Sequence, residues 1–277
     1  MSVLLPQKDN CQECYGIAKG FLTRTGVMGK IKVYTTRTTR YNKYITRIGS
    51  GHSALQVFVG LNGSKKTLDL PSRNYWCFSN VDLDASVKKY FALSSDQAME
   101  TDVPLLFVSF PSAKDPSYDQ RYPGKSACTI VTLINYEWFK EWEDEKLKKR
   151  GDNYEYFKKQ LGQRIWESVL AHFPNLEDKV EYIEIGTPLS HQYYIASPKG
   201  EIYGLDHGRK RFTPEACMEL RSKTDIPGLY LTGQDILMCG FSGAAYGGLL
   251  CASSLLKRNL FLDLVSLRKE QTTKKKQ

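Results

Sequence analysis

The chain has 277 residues, 41% of them hydrophobic and 25% charged, which excludes a disordered tail, a collagen and a multi-span membrane protein. The net charge of +9 sits at the ends: residues 19–48 hold eight basic side chains and no acid, and residues 257–277 hold seven basic and two acidic ones. Residues 49–256 carry 23 basic and 26 acidic residues, so the folded body is near neutral and no nucleic-acid partner is expected.

Seven cysteines, an odd count spread over this length, do not make a secreted disulfide scaffold; mostly free thiols are expected. Met1 to Pro6 lack the basic start and apolar run of a signal peptide, so any targeting information is expected elsewhere.

Residues 1–48 read poorly. Val3-Leu4-Leu5 and Cys14-Tyr-Gly-Ile-Ala18 could pair as a hairpin, and 34–47 shows no clear core face. From Gln56 the pattern becomes ordered. Gln56 to Leu61 reads as a strand ending at Asn62-Gly63, and Tyr75–Phe78, Leu105–Phe110 and Cys128–Ile134 are further β-rich runs. They suggest a largely antiparallel or mixed sheet, with Asp84 to Phe91 as a short helix.

Residues 152–173 predict the clearest helix. Phe157, Leu161, Ile165 and Val169 recur every four residues as one apolar stripe, Asp152 and Glu155 have capping-box spacing, and Pro174 stops it. A strand from Val180 to Ile185 follows, then a turn-rich segment, then a short helix over Thr213–Lys223.

Gly49-Ser-Gly51-His-Ser-Ala54 spells a dinucleotide loop, but that loop needs a helix after it. Gln56-Val-Phe-Val follows instead, so a turn before a strand is expected. Cys11-Gln-Glu-Cys14 has zinc spacing without a second pair, and no metal site is expected. No hydrolase, zincin or P-loop signature occurs.

The informative stretch is Ile226 to Leu256. Leu229-Tyr-Leu231 reads as a buried strand broken by Gly233, and Asp235 is the only charge between Asp225 and Lys257. Gly240 and Gly243 then open a run suited to a helix. Such a start lets backbone amides approach a flat or anionic ligand, with Asp235 beside it to hold a ribose or ribityl hydroxyl. Two other readings stay open. Gly243, Gly247 and Cys251 could form a small-residue packing stripe, or the 21 uncharged residues Ile236 to Leu256 could span a membrane.

This stretch resembles a known signature. Leu229-Tyr-Leu-Thr-Gly-Gln-Asp235, Cys239-Gly240, Gly243-Ala244 and Leu249-Leu-Cys-Ala-Ser253 look like the C-terminal motif of the retinol saturases. That family lies in the phytoene desaturase and carotenoid isomerase branch of the FAD-dependent amine-oxidase-like superfamily. Leu70-Pro-Ser72, Phe110-Pro-Ser112, Glu137-Trp-Phe139, Gln192-Tyr-Tyr194 and Tyr203-Gly204-x-Asp206-His207 extend the likeness from about residue 49 to the end.

The resemblance implies an α/β chain made of a mixed-sheet substrate domain and the C-terminal strand and helix of an FAD-binding domain, whose nucleotide-binding half is not in this sequence. Its parts would be a poorly matched basic segment (1–48), the substrate-domain-like region (49–224), the FAD-domain segment (225–260) and a basic tail (261–277). The implied function is reduction of a carbon–carbon double bond of all-trans-retinol or a related polyene lipid, with NAD or NADP as possible reductant. Gly233, Asp235, Gly240, Phe241 and Gly243 would bind the cofactor. His191, Tyr193, Tyr194 and His207 are candidate proton donors.

The terminal Lys274-Lys275-Lys276-Gln277 spells a dilysine retrieval signal, which with the resemblance points to the endoplasmic reticulum membrane surface; a solvated basic tail is the alternative. The rival function is a non-enzymatic binding module.

Overall fold

The computed structural model describes residues 2–4, 40–224 and 229–274. Among them are seven strands: β1 (Ser2–Leu4), β2 (Ser53–Asn62), β3 (Tyr75–Phe78), β4 (Leu105–Ser109), β5 (Lys125–Ile134), β6 (Val180–Gly186) and β7 (Tyr230–Thr232). The chain divides into two compact units, residues 52–194 and residues up to 51 together with those from 195 on. Residues 195–224, grouped in the sequence with the substrate-domain region, therefore pack with the C-terminal segment.

The first unit is built on a five-stranded sheet in the order β3-β4-β5-β2-β6. Every pairing is antiparallel, which agrees with the antiparallel reading of the strand runs and corrects the mixed sheet that the resemblance implied. The long crossover from β5 returns β6 in the same direction, but β2 lies between them, so no parallel pair forms. Strand alternation puts Leu55, Val57, Val59 and Leu61 of β2 on one face with Cys128, Ile130 and Ile134 of β5, all buried.

The Gly151–Leu170 helix supplies Phe157, Leu161, Ile165 and Val169 to this core, as their spacing predicts. Gly162 sets how closely the helix lies on β6, since a Cβ there would come within 2.2 Å of Ile185 Cδ1. The expected capping box is absent. The helix starts one residue early, with Arg150 at the N-cap position and no side-chain hydrogen bond, so Asp152 lies inside the first turn. Its last residue is Leu170, and Pro174 opens a short 3-10 turn instead.

In the second unit β1 pairs with β7, Val3 opposite Leu231; the other half of the expected hairpin falls outside the described residues. Residues 14–18 and the Cys11–Cys14 pair lie outside the described residues. The Arg40–Ile48 helix occupies part of a stretch without a legible core face. The Gly49–Gly51 segment precedes a strand and not a helix, as expected, but it is an antiparallel bridge, Ser50 to Leu205, where a turn was expected: Gly51 N–H donates to Gly204 O at 2.8 Å and Asp206 N–H to Gly49 O at 3.0 Å. The 213–223 helix shortens to Pro214–Glu219, with Thr213 accepting from the Ala216 N–H as its cap.

The Gly240–Leu256 helix begins four residues after Ile236, and a Leu260–Lys274 helix follows it. Among the described residues no helix is long and apolar enough to cross a membrane.

Candidate functional site

Strand β7 ends at Gly233, which adopts φ 91° and ψ −167°, a conformation open to glycine alone. A single 3-10 turn, Gln234–Ile236, follows and buries Asp235. The Asp235 Oδ1 accepts from the Leu205 N–H at 2.8 Å, which ties this turn to the Gly204–Leu205 loop. The Arg211 guanidinium closes the same turn from the other side, donating from Nη2 to Asp235 O at 2.8 Å and Leu237 O at 3.3 Å.

The helix after this turn has Cys239 at its N-cap with no side-chain hydrogen bond of its own; the Gln234 side chain takes the first helical amide instead. Gly240 has φ +83° and open space where a Cβ would stand, and its N–H donates to Gln234 Oε1 at 3.0 Å. Phe241 is 89% exposed. Gly243 and Gly247 do different work. A Cβ on Gly243 would lie 1.8 Å from Met238 O, and one on Gly247 would lie 2.2 Å from Gly233 O. These two glycines serve close packing of helix on turn, and Gly240 is the one that faces open space.

His207 joins this group through one peptide. Its Nδ1 lies 2.8 Å from Leu205 O; the carbonyl can only accept, so Nδ1 carries the proton. The His207 Nε2 and the Arg211 Nε are both sealed from solvent without a hydrogen-bond partner. The other proposed donors lie in the sheet unit. His191 is buried in the Pro188–Ile195 helix, while Tyr193 and Tyr194 are exposed and meet edge to face at 5.0 Å. The structure therefore gathers Gly233, Asp235, Gly240, Phe241, Gly243 and His207 in one unit and His191, Tyr193 and Tyr194 in the other.

The sheet unit also has an open face. Trp76 pairs with Phe107 and Phe107 with Val131; Phe78 pairs with Leu105 in the next row. Phe58 and Tyr182 continue this face on β2 and β6. Trp76 is 58% and Phe78 53% exposed, and the Trp76 and Phe107 rings meet edge to face at 5.0 Å. Among the described residues no group of three or more His, Cys, Asp or Glu side chains is placed to hold a metal ion.

No family model matches the chain. Curated proteins do match. The all-trans-retinol 13,14-reductase of Homo sapiens is 44% identical over 226 residues, 82% of this chain and 37% of that protein. That of Rattus norvegicus is 39% identical over 259 residues, 92% of this chain and 42% of that protein. The chain is a retinol 13,14-reductase homologue. The chloroplastic prolycopene isomerase of Arabidopsis thaliana, 28% identical over 59% of the chain, places the homologue in the carotenoid desaturase and isomerase branch. The chain spans about two fifths of the length of the reductases it matches.

In this homologue sequence reasoning missed Arg211. It closes a run, Arg209-Lys210-Arg211, whose first two members are exposed and whose third is buried. No spacing rule marks which of three adjacent cations folds inward; the carbonyls of Asp235 and Leu237, distant in sequence, select it. The open sheet face was legible only in part. Tyr75–Phe78 and Leu105–Phe110 read as strands, but exposure of their alternate aromatics is a tertiary property.

Proposed function

We propose that the chain forms part of an FAD-dependent reductase that saturates one carbon–carbon double bond of all-trans-retinol or a related polyene. The observation that carries this reading is the open sheet face, where Trp76, Phe78, Phe107, Leu105 and Val131 adjoin, with Phe58 on the same face diagonal to Val131 and opposite Thr129 and Glu184. Contiguous exposed apolar surface on a folded domain marks a binding surface. A conjugated polyene is long, flat and apolar, and it gains about 25 cal/mol for each Å² it buries.

The residues of the other unit fit a flavin. The positive end of the helix dipole favours an electron-rich or anionic group. Gly240 leaves room for close approach, and the Arg211 Nε, in the group that holds the Asp235 and Leu237 carbonyls, is sealed without a partner among the described residues. Gly233, Asp235, Gly240, Phe241 and Gly243 would hold the cofactor or shape the turn that does. Bound in its reduced form, FAD supplies the hydride, so the protein need furnish only orientation, a dry surface and a proton. In this reading the sheet face orients the polyene and excludes water, and His191, Tyr193 or Tyr194 delivers the proton; His207 holds its proton on Nδ1 against the Leu205 carbonyl and drops out of the candidate donors. NAD or NADP is the proposed source of electrons. The Lys274-Lys275 spelling supports a location at the endoplasmic reticulum membrane surface.

The test is retinol binding by the purified chain, followed by tryptophan fluorescence. Replacing Trp76 and Phe78 together by Ser removes two exposed aromatic anchors and should weaken retinol binding at least about tenfold, from a loss of roughly 2–4 kcal/mol. The fold should persist, because both side chains are exposed. Unchanged affinity in a folded variant would remove the sheet face from the proposal.

A further inference from the structure

Arg150 is 6% exposed, yet among the described residues no hydrogen bond or ion pair holds its guanidinium. The Nε is sealed without a partner, and the group lies over the face of the Tyr154 ring, 5.2 Å away. Removing a guanidinium from water is costly unless an anion or a set of acceptors replaces the water. Among the described residues no such group is placed against the Arg150 Nε.

The position of this cation is specific. Arg150 is the N-cap residue of the 20-residue Gly151–Leu170 helix, which has no side-chain cap. Tyr154 is one turn in, so the guanidinium folds back over the helix start. Unsatisfied amides and a positive dipole end already favour an anion there. Gly151 adopts φ +77° and has nothing within 4 Å of where its Cβ would stand, which leaves open space in front of the helix. Lys146, Lys148 and Lys149 precede it and are exposed. The acids near the helix start are Glu143, Asp144 and Glu145, exposed ahead of the lysines, with Glu143 accepting from the Tyr136 hydroxyl at 2.6 Å; Asp152, which is exposed; and Glu155, which pairs with Lys158 at 2.9 Å.

The geometry points to a phosphate-binding site at the start of the Gly151–Leu170 helix, built on Arg150. Guanidinium binds phosphate oxygens in pairs, and the helix start adds amides to the same oxygens, so Arg150 carries the site and the exposed lysines ahead of it, offset by Glu143, Asp144 and Glu145, add little. The phosphate could be free or the 2′-phosphate of a dinucleotide; the chemistry is shared. This site goes beyond the polyene surface and does not depend on it.

Titrating the intact chain with inorganic phosphate at low ionic strength tests the site, by heat and by tryptophan emission, because the Trp142 ring lies 5.5 Å from Tyr154. Saturable binding is expected, weakened at least about tenfold in Arg150→Gln, the scale of a lost charge-assisted pair. It should survive largely intact in the double variant Lys148→Gln/Lys149→Gln. Competition by NADPH but not NADH assigns the phosphate to a dinucleotide; no competition by either assigns it to free phosphate. Melting guards against a misfolded variant. Arg150→Met should melt above the phosphate-free wild type and ignore phosphate, whereas phosphate should raise the wild-type midpoint. Absent or unsaturable wild-type binding overturns the site. So does equal binding by Arg150→Gln, loss of binding in the lysine variant, or an Arg150→Met variant that melts below wild type.

Discussion

Asp235 shows how burial redefines a residue chosen from sequence. Its chemistry and position suggested an acceptor for a cofactor hydroxyl. In the structure its Oδ1 accepts the buried Leu205 N–H. Asp235→Ala should therefore lower stability by roughly 1–3 kcal/mol in denaturant unfolding, the cost of stranding a buried donor, while Asp235→Asn keeps an acceptor and costs less. Equal stability of Asp235→Ala and wild type would show that Leu205 finds another acceptor. Thiols divide by the same criterion. Burial pushes the Cys128 thiol up to about 12, leaving about one thiolate in 10⁴ at pH 8. Peptide mapping after brief alkylation of the native chain should find Cys217 and Cys239, which are exposed, labelled and Cys128 spared. Such distinctions are not written in sequence. Arg150 and Arg211 each end a basic run, Lys148-Lys149-Arg150 and Arg209-Lys210-Arg211, and only tertiary contacts turn the third member inward.

Elements were more legible than residues, because period carries through to packing. The four-residue spacing from Phe157 to Val169 gives a buried stripe, and the β-rich runs from Gln56, Tyr75, Leu105, Cys128 and Val180 all become strands. Where no period is present the reading failed, as over the Arg40–Ile48 helix, or stopped at local chemistry, as with the Asp152 and Glu155 box that the early helix start pre-empts. The Gly240–Leu256 helix left cofactor, packing and span readings open, and its glycines now separate. Gly243→Ala places a Cβ against the Met238 carbonyl, a backbone atom that cannot swing away, at 1.8 Å. It should destabilise the chain by several kcal/mol or prevent folding, about the range for severe overpacking. Gly248→Ala, in the same helix with nothing within 4 Å, should instead stabilise by up to about 1 kcal/mol through helix propensity. Thermal melts of the two variants compare them directly. Similar shifts for both would mean that the helix does not sit on the Met238 turn.

At the scale of the molecule, the two units differ in what holds them. The sheet unit has a continuous buried core running from Leu55 through Phe110, Phe139 and Ile165 to Leu189. The core of the other unit, among the described residues, is small: Ile48, Leu205, Ala216, Leu220, Leu231 and Ile236. Apolar burial is the main favourable term in folding, so the second unit should open at lower free energy, and hydrogen exchange should be faster there than in β2 and β5. A unit with a thin core and a sealed, unpartnered Arg211 Nε gains most from a ligand that supplies an acceptor, since binding to the folded form alone stabilises it by mass action. Adding FAD should therefore slow exchange over residues 204–211 and 230–243 and leave the sheet unchanged. The measurement is peptide-resolved exchange with and without FAD on the intact chain. Protection confined to residues 52–194 would place the flavin on the sheet unit and overturn the assignment of the Gly233–Gly243 turn. Protection of the predicted peptides, lost in a folded Arg211→Met variant, would tie the cofactor to the loop that Arg211 closes.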